Sequence, residues 1–102
     1  MVCERCKLAD RAPARLKGLL GRRSLPGDEG VLLRPAASVH TAFMRFPIDV
    51  VFLDRDLAVL HVVPELAPWR AAGKRGAKAV LELAAGEAAR RGLRPGDRLA
   101  FA

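Results

Sequence analysis

Asp49 is the residue with the strongest claim to chemistry, because it is an acid in an apolar setting. It lies in Phe46-Pro47-Ile48-Asp49-Val50-Val51-Phe52-Leu53. Strand alternation puts it on the face shared by Val51 and Leu53, and the opposite face is apolar too. A carboxylate there is expected to be buried, and an unpaired buried charge is strongly unfavourable, so it needs a partner. The candidates are Arg22, Arg45, His40, or backbone N–H groups at a helix start. Two readings stand. Asp49 ties a loop to the sheet, or it is an acid of tuned proton affinity in a pocket.

His40, Met44 and Arg45 come just before it. On a strand, Thr41, Phe43 and Arg45 share one face, and His40, Ala42 and Met44 share the other. His40 has the chemistry of a general base, although a lone histidine is more often a hydrogen-bonded structural group. His61 reads as structural, and Met44 and Phe43 read as core. Cys3-Glu4-Arg5-Cys6 matches C-x-x-C, but zinc needs a second ligand pair and the chain has only 2 cysteines. On a strand the two thiols point to opposite faces, and a redox pair would sit at a helix start. The cysteines are therefore expected to be structural or incidental, with no metal site and no cofactor. No phosphate-loop or dinucleotide-binding glycine pattern occurs.

The elements that must position these groups follow from periodicity. Residues 1–9 alternate weakly and read as an edge strand. Asp10 can cap a following helix, with Pro13 in its first turn, an apolar stripe of Leu16, Leu19 and Leu20, and Gly21 ending it. Short strands are expected over 31–33, 38–44, 48–53, 57–63, 78–83 and 98–101, with a loop over 64–76. A short helix over 86–91 is ended by Gly92. The sum is an α+β domain: a small, mainly antiparallel β-sheet curled toward a barrel, with one N-terminal helix and a short C-terminal helix.

The chain has 102 residues, 51% hydrophobic and 28% charged, which is the composition of one folded domain spanning residues 1–102. No apolar run approaches a membrane span, and the first residues carry Glu4, Arg5 and Lys7 rather than a signal-peptide core, so a cytoplasmic location is expected. The net charge of +7 comes mostly from arginine, in a chain without Asn, Gln or Tyr. That skew has the look of compositional background more than of a nucleic-acid footprint. Nucleic-acid binding would draw on Arg11, Arg15, Lys17, Arg22 and Arg23, with Arg70, Lys74, Arg75 and Lys78 and then Arg90, Arg91, Arg94 and Arg98 further along. Every phenylalanine lies in an apolar run, so Trp69 is the only aromatic suited to stacking, which weakens that reading.

The run His40-Thr41-Ala42-Phe43-Met44-Arg45-Phe46-Pro47-Ile48-Asp49-Val50-Val51-Phe52-Leu53-Asp54 resembles the central motif of a widespread prokaryotic family, the domain of unknown function number 192. The segments 15–22, 79–86 and 92–99 match further motifs in the family's order and extend the resemblance over nearly the whole chain. It implies a compact β-rich α+β fold and no established activity. Many relatives carry Trp-Met-Lys-Asn-Thr where this chain has Phe43-Met44-Arg45-Phe46-Pro47, so a ligand that needs those polar groups would differ or be absent here. The resemblance also points to Glu82 and Arg22 as positions of interest.

Three functions follow as expectations. The first is a binding module with a pocket near the central strand motif, taking a small anionic or peptide-like ligand. Its candidate residues are Arg22, His40, Met44, Arg45, Asp49 and Glu82, with the arginines supplying charge-assisted bonds. The second is a small hydrolase-like enzyme using His40 and Asp49 as acid and base, which requires the two to converge. The third is a basic nucleic-acid-binding protein.

Overall fold

The computed structural model describes residues 2–3, 5–9, 29–42 and 44–101. Its frame is a five-stranded sheet in the order β2-β3-β8-β5-β6. These strands are β2 (Arg5–Ala9), β3 (Glu29–Leu33), β5 (Ile48–Leu53), β6 (Val59–Leu66) and β8 (Ala79–Ala84). β2 and β3 are parallel; every other neighbour pair is antiparallel. Two small ribbons accompany the sheet. β1 (Val2–Cys3) pairs with β9 (Ala100–Phe101) in parallel, and β4 (Ser38–His40) pairs with β7 (Ala71–Gly73) in antiparallel fashion. One short helix, α1 (Glu87–Arg90), follows β8.

The apolar runs explain the strand order. Every residue of β5 is buried, and β8 is buried except at its last residue. Strands covered on both faces belong in the middle, and these two are neighbours there. β6 shows a mixed burial pattern and carries Pro64, which an edge strand tolerates because it need not donate outward. One face, with Val31, Leu33, Ile48, Val50, Phe52 and Val80, packs under the β4–β7 ribbon through Val39, Met44 and Ala72. The other, with Leu32, Val51, Leu53, Leu81 and Leu83, packs against Ala88 of α1 and against Leu93 and Leu99.

Several expectations need correction. The sheet is open: β2 and β6 end it and do not pair with each other, so it is not a barrel. Both of its faces are instead covered by separate layers, which buries the apolar surface without closure. In place of one edge strand, Val2–Cys3 and Arg5–Ala9 lie in different sheets, so Cys3 stands opposite Phe101 and Cys6 opposite Gly30. β6 runs three residues beyond Val63, and the expected loop over 64–76 contains β7. β4 stops at His40 because Thr41 turns into the interior. The expected N-terminal helix, its Asp10 cap, Arg22 and Phe43 lie outside the described residues. Among the described residues no helix is long and apolar enough to cross a membrane.

Candidate functional site

Asp49 is as deeply buried as expected, with 0% exposure. Among the described residues its partners are three backbone amides and no cation. Oδ1 accepts from the N–H of Glu65 at 2.9 Å and of Gly86 at 3.1 Å, and Oδ2 accepts from the N–H of Ala88 at 2.8 Å. Two local backbone features aim these donors. The β5–β6 pairing shifts register between Ile48 and Val50, and Glu65 beside it has φ 49°. Gly86 has φ 91°, a conformation that suits glycine, and so turns the chain from β8 into α1. Charge-assisted bonds to a helix start satisfy a carboxylate without a counter-ion. Of the expected partners that are described, the backbone amides are the ones realised. Asp49 locks the end of β6 and the start of α1 onto β5.

Of the other expected site residues, those described do not gather around it. Met44 is buried in the core under the ribbon. His40 and Arg45 are exposed. His40 sits on the ribbon that covers one face of the sheet, whereas Asp49 alternates with Val51 and Leu53 on the opposite face. The sheet therefore separates His40 from Asp49, and an acid–base pair made of these two is removed.

Glu82 is the second buried acid. It lies between Val31 of β3 and Val50 of β5 and is 7% exposed. It shares its face with Val80, toward the ribbon side. Among the described residues no side chain bonds to it, and burial pushes its carboxyl up from 4.5 to about 7. The charged form is disfavoured because the apolar strands on either side replace water.

Two polar features lay beyond sequence reasoning. Thr41 is fully buried, and its hydroxyl ties the β6–β7 connection. Oγ1 donates to the carbonyl of Ala67 at 2.6 Å and accepts from the N–H of Arg70 at 2.8 Å. The Thr41 carbonyl accepts from the N–H groups of Met44 and Trp69. The second feature is a groove of about 500 Å³ lined by Arg34, Pro35, Asp54, Arg55, Leu57, Lys78 and Ala79. It forms where β3 and β5 end and β8 begins, since Leu33 faces Val80 and Leu53 faces Ala79. That register brings three cations from distant parts of the chain to one rim. Asp54 is the only acid in the lining, and its Oδ1 is engaged by the N–H groups of Asp56 and Ala58 in the hairpin turn. The groove flanks Asp54, the last residue of the central motif, and Arg45 is not among its described lining residues. Among the described residues no three His, Cys, Asp or Glu side chains come together as a metal site.

The DUF192 family model, described as Uncharacterized ACR, COG1430, matches residues 2–101. The chain belongs to this family. Its fold is similar to the crystal structure of a protein of unknown function from Novosphingobium aromaticivorans, with 30% identity and a TM-score of 0.84 over 93% of this chain and 73% of that one. It is also similar to a structure from Sinorhizobium meliloti described as a putative transcription regulator, with 28% identity and a TM-score of 0.83 over 91% of this chain and 78% of that one. No curated protein matches. These similar structures support the fold over nearly the whole chain and assign no reaction to it.

Proposed function

We propose that this DUF192 domain is a binding module for a small anionic ligand, held in the groove at the joined ends of β3, β5 and β8. The observation that carries the reading is the convergence of Arg34, Arg55 and Lys78 on one rim. Two guanidinium groups suit bidentate recognition of a carboxylate or phosphate, and an ammonium adds a mobile point charge. Pro35, Leu57 and Ala79 supply the apolar part of the lining. A volume of about 500 Å³ lies in the range of small-molecule sites.

The test follows backbone amide NMR shifts while orthophosphate, pyrophosphate and citrate are added in turn. The expected result is a saturable shift centred on residues 34, 55 and 78 for at least one of them. The double variant Arg55→Ala, Lys78→Ala should fold normally and lose that response. Shifts scattered over every arginine, or a response unchanged in the double variant, would overturn the reading.

A further inference from the structure

The layer that covers one face of the sheet is built from two chain segments that contain no acid. Residues 34–48 and 66–81 hold no Asp or Glu, although the chain has 11 of them. The same segments hold Arg45, Arg70, Lys74 and Arg75, all exposed. Within the β4–β7 ribbon, Val39 and Ala72 pack inward, while Ser38, His40, Ala71 and Gly73 are exposed. The outer surface of the ribbon therefore presents Ser38, Ala71 and Gly73, all small, with His40 opposite Ala71. Arg70 and Lys74 bracket β7, about 13 Å apart at about 3.3 Å per residue.

Trp69 stands beside this surface. It is 63% exposed, the one large hydrophobic side chain so exposed among the described residues. Its backbone has φ 62°, which is costly for a residue with a side chain. The conformation is held from below. The Trp69 N–H donates to the Thr41 carbonyl at 3.0 Å, and the Thr41 hydroxyl fixes Ala67 and Arg70 on either side. A large apolar side chain 63% exposed on a strained backbone costs stability, and the clasp fixes the backbone that carries it. An exposed aromatic ring with cations on its own segment, and no acid in segments 34–48 and 66–81, suits stacking of an unpaired base.

We infer that the outer face of the β4–β7 ribbon binds single-stranded nucleic acid, with a base stacked on Trp69 and the phosphate backbone running along Arg70, Lys74 and Arg75. None of Trp69, Arg70, Lys74 and Arg75 lines the groove, so binding here does not depend on the reading above.

Trp69 is the only tryptophan, so its fluorescence reports on this face alone. The experiment titrates the full chain with a twelve-nucleotide oligothymidylate at low salt and repeats the titration as salt is raised. Saturable quenching of Trp69 is expected. If about three phosphates are engaged, with a log–log salt slope of about −0.7 each, affinity should fall about tenfold for a threefold rise in salt. Trp69→Gly removes the ring and relieves the left-handed backbone, so it should fold at least as well as the parent. It should bind a labelled oligothymidylate about tenfold more weakly or worse, as expected from the loss of one stacked base. Lys74→Ala with Arg75→Ala should lower the salt slope while leaving the quenching amplitude at saturation intact. Absence of quenching, or equal affinity in Trp69→Gly, would overturn the inference. A twelve-residue polyglutamate that quenches as strongly as the oligothymidylate would overturn it in favour of an acidic protein partner.

Discussion

Asp49 and Glu82 are buried acids on neighbouring central strands, and they are treated in opposite ways. Asp49 faces the helix side of the sheet and receives three backbone N–H groups. Glu82 faces the ribbon side, between two valines, with no bonded side chain among the described residues. Burial alone does not separate a structural acid from a reactive one. The number of donors does, because donors replace the water that burial removes. Asp49 is scaffolding. Glu82 is a proton-binding group whose charge the fold opposes.

The sharpest way to break this contrast is Asp49→Ala. It leaves the N–H groups of Glu65, Gly86 and Ala88 without their acceptor, at about 1–3 kcal/mol for each buried donor. A loss of about 4 kcal/mol or more in urea unfolding is expected. A loss below about 1 kcal/mol would mean that the amides find water and that Asp49 is no anchor.

Glu82→Gln comes next and has the opposite sign. The folded carboxyl binds its proton up to about pH 7 and the unfolded one only to about 4.5. Between those values the folded state holds a proton that the unfolded state has released. Stability from this group is therefore full below pH 4.5 and falls as pH rises through 7. The loss is about 3 kcal/mol, at 1.36 kcal/mol per pKa unit. The Gln variant should match the parent at pH 4 and be more stable at pH 8. Parallel stability curves across that range would sink the assignment.

Thr41→Val asks whether a neutral buried group obeys the same rule. It strips the acceptor from the Arg70 N–H and the donor from the Ala67 carbonyl, and a loss of about 1–2 kcal/mol in thermal unfolding is expected. The smallest effect belongs to Glu87, which pairs with Arg90 at 2.7 Å and Arg91 at 3.3 Å near the surface of α1. Glu87→Gln should cost about 0.5 kcal/mol or less, with high salt erasing the difference. A larger cost would show that peripheral ion pairs rival the buried amides.

The residues differ in how far their roles could be read in advance. The run from Ile48 to Leu53 announced a strand covered on both faces, and a lone acid within it announced burial. Glu82 in Ala79-Val80-Leu81-Glu82-Leu83 carries the same signal. The hairpin turn at Asp54 and the short helix ended by Gly92 were also legible, since each rests on local chemistry. The donors of Asp49 were legible only as a class. Glu65 and Gly86 reach it through a register shift and a turn from opposite directions, which no local pattern encodes. Thr41 looked like one residue in a strand, and its clasp depends on a loop more than twenty residues away. The groove needs three strand ends aligned by pairings between distant segments, so its cations were visible only as scattered charge. Pro64 argued for a loop, because its compatibility with a strand depends on that strand lying at an edge.

The strand order has a consequence for synthesis. β8 is the third strand of the sheet in space and the last of its five strands in sequence. A growing chain can zip β5 to β6 as a local hairpin, but β3 and the inner edge of β5 stay open until residues 79–84 emerge. During that interval the apolar run of β5 offers an unsatisfied backbone edge, the geometry that invites pairing between molecules. Chains truncated before β8 should be retained by chaperones or aggregate, whereas arrival of this single segment joins the two halves of the sheet at once.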